Sequence, residues 1–181
     1  QRLDPEHLRG TVLAVPMVNA YGVLHRSRYL PDRRDLNRSF PGSARGSLTA
    51  RLAHLFVDEV VARAQFGVDL HAGATARRNL VQIRANLEHP KTRRLALAFG
   101  EPICMHAKTR PGSLRAEAAL REIPMLLCDA GEALRIDRAD VESVVMGVER
   151  VLHALGMIET APPIAEPSKI ARSVGWLRAT R

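Results

Sequence analysis

The sequence predicts an α/β fold, a three-layer α/β/α sandwich around a mainly parallel or mixed sheet. Three observations predict it. Apolar, β-rich runs alternate with segments whose apolar residues recur at helical spacing. The first run, "GTVLAVPMVN", is mostly apolar, as in a strand covered on both faces. The chain has 181 residues, 46% hydrophobic and 25% charged, enough for one sizeable core. Residues 1–160 are expected to form the main α/β domain. Residues 161–181 are expected to be a Pro-rich connection and a terminal strand leading towards a further domain. The start on Gln1 and the stop on "WLRATR" both read as the interior of a longer chain, so the fold is expected to be incomplete at both ends.

Each element follows in order. Residues 10–19 read as a strand, and residues 20–46 as a long polar loop, of the kind that often carries function. Ser47 starts a helix whose stripe is Leu48, Leu52, Leu55, Phe56, Val60 and Val61. "FGVDLHA" and "NLVQIRA" are strands, and "HPKTRRLALAFG" is a helix closed by Gly100. "EPICMHA" is a short strand, and Ser113 caps the helix "SLRAEAALRE". A strand core spans residues 124–128. Asp137 then caps a long helix with Val141, Val144, Val145, Val148, Leu152 and Leu155 on one face. "TAPPIAEPS" is a linker or loop, and "IARSVGWLRA" a last strand.

Composition narrows the function. No apolar run approaches the roughly 20 residues of a membrane span, and no signal sequence opens the chain, so a soluble cytoplasmic protein without a membrane partner is expected. Cys104 and Cys128 stand in apolar strand-like segments, apart from any Cys/His cluster, and read as free core thiols. The net charge of +8 raises nucleic-acid binding. The arginines are scattered and aromatics are only 4%, so a pocket for small anions is the preferred use of that charge. A homo-oligomer is left open.

Four sets of residues are able to carry chemistry. His71 closes a strand beside Ala72 and Gly73, where neutral imidazole suits zinc. Alone, such a histidine is more often a hydrogen-bonded packing residue. In "RRDLNRSFPG", Arg38 offers a planar fork of donors for a carboxylate, and Asn37 adds an amide or simply holds an Asx turn. Asp129 and Glu132 place two carboxylates just beyond a strand, as a general base or as caps. The spacing alone leaves that choice open.

In this order "DLNRSFPG", "VDLHAG", "GSLRAEAALREIP" and "LLCDAGEAL" resemble the succinylglutamate desuccinylase/aspartoacylase family, which is similar to the zinc carboxypeptidases in fold. The resemblance covers residues 10–178 and implies that residues 1–160 are a catalytic-type domain lacking its N-terminal segment. It implies a zinc-dependent hydrolase that cleaves the amide bond of a small anionic N-acylated amino acid or related compound. It implies His71 as the third zinc ligand, Asn37 and Arg38 as the anion-binding pair, and Arg28 as the group polarising the scissile carbonyl. Arg115 resembles a further substrate-facing arginine. Two departures stand out. The His-x-x-Glu pair that supplies the family's other zinc ligands does not precede "DLNR", so it lies upstream of Gln1 or the metal has been lost. Asp129 stands where the family has a glutamate base, with Glu132 as an alternative. A degenerate member that only binds anions, and a carboxypeptidase-like peptidase, are the competing readings.

Overall fold

The computed structural model describes residues 3–173 and Gly175. The chain divides into two compact units. Unit 1 is Gln1–Asp69 with Thr109–Met125, and unit 2 is Leu70–Lys108 with Leu126–Arg181.

Unit 1 is built on helix α2 (Leu48–Glu59). Ser47 Oγ accepts from Ala50 N at 3.3 Å, the predicted N-cap. Thr49, Ala53 and Val57 are buried, Leu48, Leu52 and Phe56 of the expected stripe pack half-buried against the same core, and Val61 is buried just past the helix. Leu55 of that stripe is 58% exposed. The chain before α2 runs close to it: Ser43 N donates to Ala50 O at 3.0 Å, and a Cβ on Gly42 would lie 2.1 Å from that oxygen. The expected polar loop is itself packed. It holds helix α1 (Ala20–Leu24) and a 3₁₀ turn (Leu36–Arg38), and it buries Leu30, Leu36 and Phe40 with Ala53, Val57, Val61 and Leu114. Helix α4 (Leu114–Leu120) follows its predicted cap, Ser113.

The expected strand over residues 10–19 does not form. The segment forms no ladder, bends at Pro16 and turns at Val18–Asn19, and Val12, Leu13, Val15 and Met17 are exposed. Pro16 has no N–H to give a central ladder, which counts against a strand there.

Asp32 sits over the start of α2. It accepts from the Thr49 hydroxyl and from Thr49 N, the latter at 2.9 Å. These two bonds, the hydroxyl's first, hold its carboxyl at about 2, against an ordinary 3.8. A pKa depressed in the folded state stabilises it above the unfolded value and loses that contribution as pH falls through the folded one. Denaturation midpoints measured from pH 5 down to 2 are therefore expected to fall. They should fall less steeply in Asp32→Asn, and an unchanged slope would contradict this assignment.

The sheet has strand order β1-β4-β2-β3-β5, with β1 Gly67–Gly73, β2 Asn79–Ala85, β3 Ile103–His106, β4 Met125–Glu132 and β5 Lys169–Ala171. It is mixed: β2, β3 and β5 run parallel to one another, and β4 runs antiparallel to β2. Gly67 N bonds to Pro124 O near the start of β1 and Ala133 N bonds to Gly73 O at its end, so β1 and β4 run the same way. In unit 2, Ile83 lies opposite both Cys104 and Cys128, and all three are fully buried. Helices α3 (Pro90–Phe99) and α5 (Arg138–Ala154) pack together beside β2. Pro90 opens α3, and Gly100 closes it in the left-handed region. Asp137 caps α5 as predicted.

Of the expected α5 stripe Leu152 is buried, Val144, Val145, Val148 and Leu155 are half-buried and Val141 is exposed. Gly147 and Val151 are buried as well, with the ring of Phe99 seated directly on Gly147. Arg150 donates to the carbonyls of Phe99, Pro162 and Pro163, which ties the Pro-rich segment to α3 and α5. β5 is three residues long, and most of the remainder of the strand expected over residues 170–179 lies outside the described residues.

Candidate functional site

The "DLNR" turn is organised by its aspartate. Asp35 Oδ1 accepts from Asn37 N at 2.9 Å, an Asx turn that opens the 3₁₀ helix. Asp35 Oδ2 takes Arg28 Nε and Nη2, each at 2.9 Å. Its carbonyl accepts from Ser39 Oγ and Arg38 N. One partly buried carboxylate thus fixes the positions of Arg28 and Asn37 together. Sequence reasoning overlooked Asp35, although an Asx turn in "DLNR" was the signal for it.

Asn37 Oδ1 accepts from Leu114 N at 2.8 Å and so serves the first turn of α4. With its oxygen engaged there, the amide NH₂ of Asn37 is left to donate elsewhere. Arg38 is exposed, and its Nη1 donates to Asn37 O. Arg115 is the second residue of the helix that Asn37 holds. Gly112, with φ +75°, brings its chain against the Arg38 backbone, and its carbonyl accepts from Phe40 N. Unit 1 therefore gathers Arg28, Asn37, Arg38 and Arg115 around two linked turns. Asp35 engages Arg28 and backbone N–H groups and Asn37 a backbone N–H through their oxygens, which leaves the turn presenting the Asn37 amide donors and the Arg38 guanidinium. Such a set suits a carboxylate.

Unit 2 carries the other two predicted residues. His71 lies inside β1 and Asp129 inside β4, rather than at or beyond strand ends. The ladder with β2 carries β4 past Cys128 to Gly131, which is why the expected end at residue 128 was too early. The parallel run of β1 and β4 brings His71 about level with Asp129. Asp129 is buried, and its Oδ2 lies 2.8 Å from Arg84 Nε on β2. Arg84 was not anticipated, because the pairing rests on strand register. Glu132, the alternative base, is engaged elsewhere: Oε1 accepts from Ala76 N at 2.8 Å and Oε2 pairs with Arg135.

Thiol chemistry is disfavoured. Burial pushes Cys104 up to about 11. Burial, then the charges of Glu101 and Asp129, push Cys128 up to about 12, so neither is a thiolate at neutral pH.

Zinc needs three or four protein ligands brought together. Among the described residues no group of three or more His, Cys, Asp or Glu is placed to hold a metal ion. His71 is a ligand of the right kind, but the residues present do not fit a zinc site by themselves.

Comparison with known proteins agrees with the fold. Residues 1–155 match the Succinylglutamate desuccinylase/Aspartoacylase catalytic domain family. The chain is 35% identical over 108 residues to an N-alpha-acetyl-L-2,4-diaminobutyric acid deacetylase of Halomonas elongata, covering 56% of this chain and 31% of that protein. A succinylglutamate desuccinylase/aspartoacylase from Rhodobacter sphaeroides superposes with a TM-score of 0.81 at 28% identity, covering 93% of this chain and 54% of that one. The ectoine utilization protein EutE (DoeB) from Ruegeria pomeroyi shares the fold, with a TM-score of 0.81 at 20% identity over 92% of this chain and 52% of that one. The chain thus spans under a third of the curated relative and about half of the solved ones. With its mixed five-stranded sheet flanked by helices, the chain belongs to the succinylglutamate desuccinylase/aspartoacylase catalytic-domain family.

Proposed function

We propose that this chain is the catalytic-domain portion of an amidohydrolase that removes the acyl group from a small N-acylated amino acid or related amine. The observation that carries the reading is the clamp in unit 1. Asp35 orients Arg28 and Asn37, and Leu114 N takes the Asn37 oxygen, so the remaining groups are donors for an anion. The deacetylase relative supports the reaction class.

In this reading the Asn37 amide and the Arg38 guanidinium hold a substrate carboxylate, and Arg115 adds a further cation. Arg28 has five N–H donors, of which Asp35 engages those of two nitrogens. The others offset the negative charge that grows on the carbonyl oxygen, an effect worth about 3 kcal/mol where such donors are pre-aligned. Asp129 takes a proton from the attacking water and returns it to the leaving amine. Zinc is implied by the family resemblance alone. His71 would be one ligand, its companions would have to come from outside the described residues, and none of the steps above is assigned to a metal.

The test is hydrolysis by the full-length protein of a panel of N-acetyl and N-succinyl amino acids, with zinc content measured in parallel. Asn37→Ala and Arg38→Ala are each expected to raise KM on the order of tenfold. Asp129→Asn is expected to lower kcat at least 100-fold, with KM little changed. No product from any member of the panel would sink the amidohydrolase reading. The Asp129–Arg84 pair favours a second reading, a protein that binds the anion without cleaving it, because the carboxylate is already engaged. Saturable binding of an N-acyl amino acid without turnover would select that reading.

A further inference from the structure

The carboxyl ends of the three parallel strands border an open cavity of about 230 Å³, entirely within unit 2. Its walls are Leu87 and Glu88 just beyond β2, His106 at the end of β3, Ile170 and Arg172 at the end of β5, and Arg93 in the first turn of α3. Ligands in open α/β sheets gather outside the carboxyl ends of strands. β4 runs antiparallel to β2, so its first residues lie at this end, and Asp129 and Glu132 lie further along it. The cavity is therefore not the Asp129 site.

The polar groups around it are of both signs and are available. Among the described residues, Arg93 and Arg172 form no ion pair. His106 Nδ1 accepts from Leu87 N at 3.3 Å, so the neutral ring carries its proton on Nε2 and offers a donor there. Glu88 is held by an Asx turn, its N–H donating to Asn86 Oδ1 at 3.1 Å, and supplies the one carboxylate of the set. Leu87 and Ile170 provide apolar wall. The volume matches on the order of eight water-sized groups, the scale of a free amino acid seated in an open pocket.

We propose that this cavity is a second ligand site, which binds a free α-amino acid with its carboxylate on Arg93 and Arg172 and its ammonium on Glu88. The proposal does not rest on the amide-cleaving reading, since none of its residues belongs to that machinery.

Calorimetric titration of the full chain with L-glutamate tests it, in an Arg38→Ala background that weakens the clamp. Saturable binding is expected to persist in that background. Arg172→Gln or Arg93→Gln is expected to weaken it at least tenfold. Glu88→Gln should weaken L-glutamate and leave succinate, which has no ammonium, unaffected. Absence of saturable binding overturns the proposal, and so does binding untouched by both arginine substitutions. Equal weakening of glutamate and succinate in Glu88→Gln overturns the ammonium contact. Inorganic phosphate binding through the same arginines as tightly as glutamate would make the cavity a general anion site and overturn the amino-acid assignment.

Discussion

Gly147→Ala is expected to lower the melting temperature by roughly 6 to 12 °C, the shift that about 3 kcal/mol produces in a chain of this size. The usual effect has the opposite sign, since glycine inside a helix costs about 1 kcal/mol relative to alanine. Here an added Cβ would lie 1.9 Å from Phe99 Cε1 and 2.3 Å from Cδ1. Phe99 is fully buried, so its ring has little room to yield. The overlap therefore outweighs the gain in helix propensity. Thermal unfolding followed by circular dichroism measures the effect, and Phe99→Leu in the same chain should recover part of the loss. An unchanged or raised midpoint would show that α3 and α5 slide apart freely, against the close packing described here.

The second large effect is expected at Gly112, where it bears on function. Its φ of +75° costs an alanine about 1 to 2 kcal/mol by itself. A Cβ there would also lie 2.5 Å from Arg38 O and 2.9 Å from Arg38 C, both backbone atoms. The Arg38 turn would have to move. A displacement of about 1 Å in a substrate-holding group is enough for a loss on the order of 100-fold in catalytic efficiency. Gly156 supplies the control, with the same φ of +75° and nothing within 4 Å of its added Cβ. Gly156→Ala should therefore cost only the backbone term and leave ligand binding intact. If the two substitutions behave alike in stability and binding, the approach of Gly112 to Arg38 does not shape the clamp.

The parts of the fold that were legible in the sequence are those set by local chemistry. Ser47, Ser113 and Asp137 each accept from backbone N–H groups at the start of the helix they were expected to cap. Gly100 ends α3 because the left-handed region costs glycine little. Helix faces were less legible. Leu55 of the α2 stripe and Val141 of the α5 stripe are exposed, while Thr49 and Ala53, and Gly147 under the Phe99 ring, are inward positions the stripes did not contain. Residues 10–19 have the composition of a strand, but a ladder also needs a partner, and Pro16 lacks the donor for one.

For the candidate site, the sequence by itself determined the residue types: an amide and arginines in one turn, a histidine in one strand and an aspartate in another. The Asx turn that joins Asp35, Asn37 and Arg38 is likewise local, closed within three residues, although it is held by Asp35 and not by Asn37. Only the tertiary structure decided which of these groups are already engaged. Asn37 caps a helix 77 residues away, Asp129 pairs with Arg84 across a strand register, and Glu132 is spent on Ala76 N. The physical reason is one of range. Caps and turns are settled among neighbours in the chain, whereas the partner of a buried carboxylate is set by which strands lie side by side.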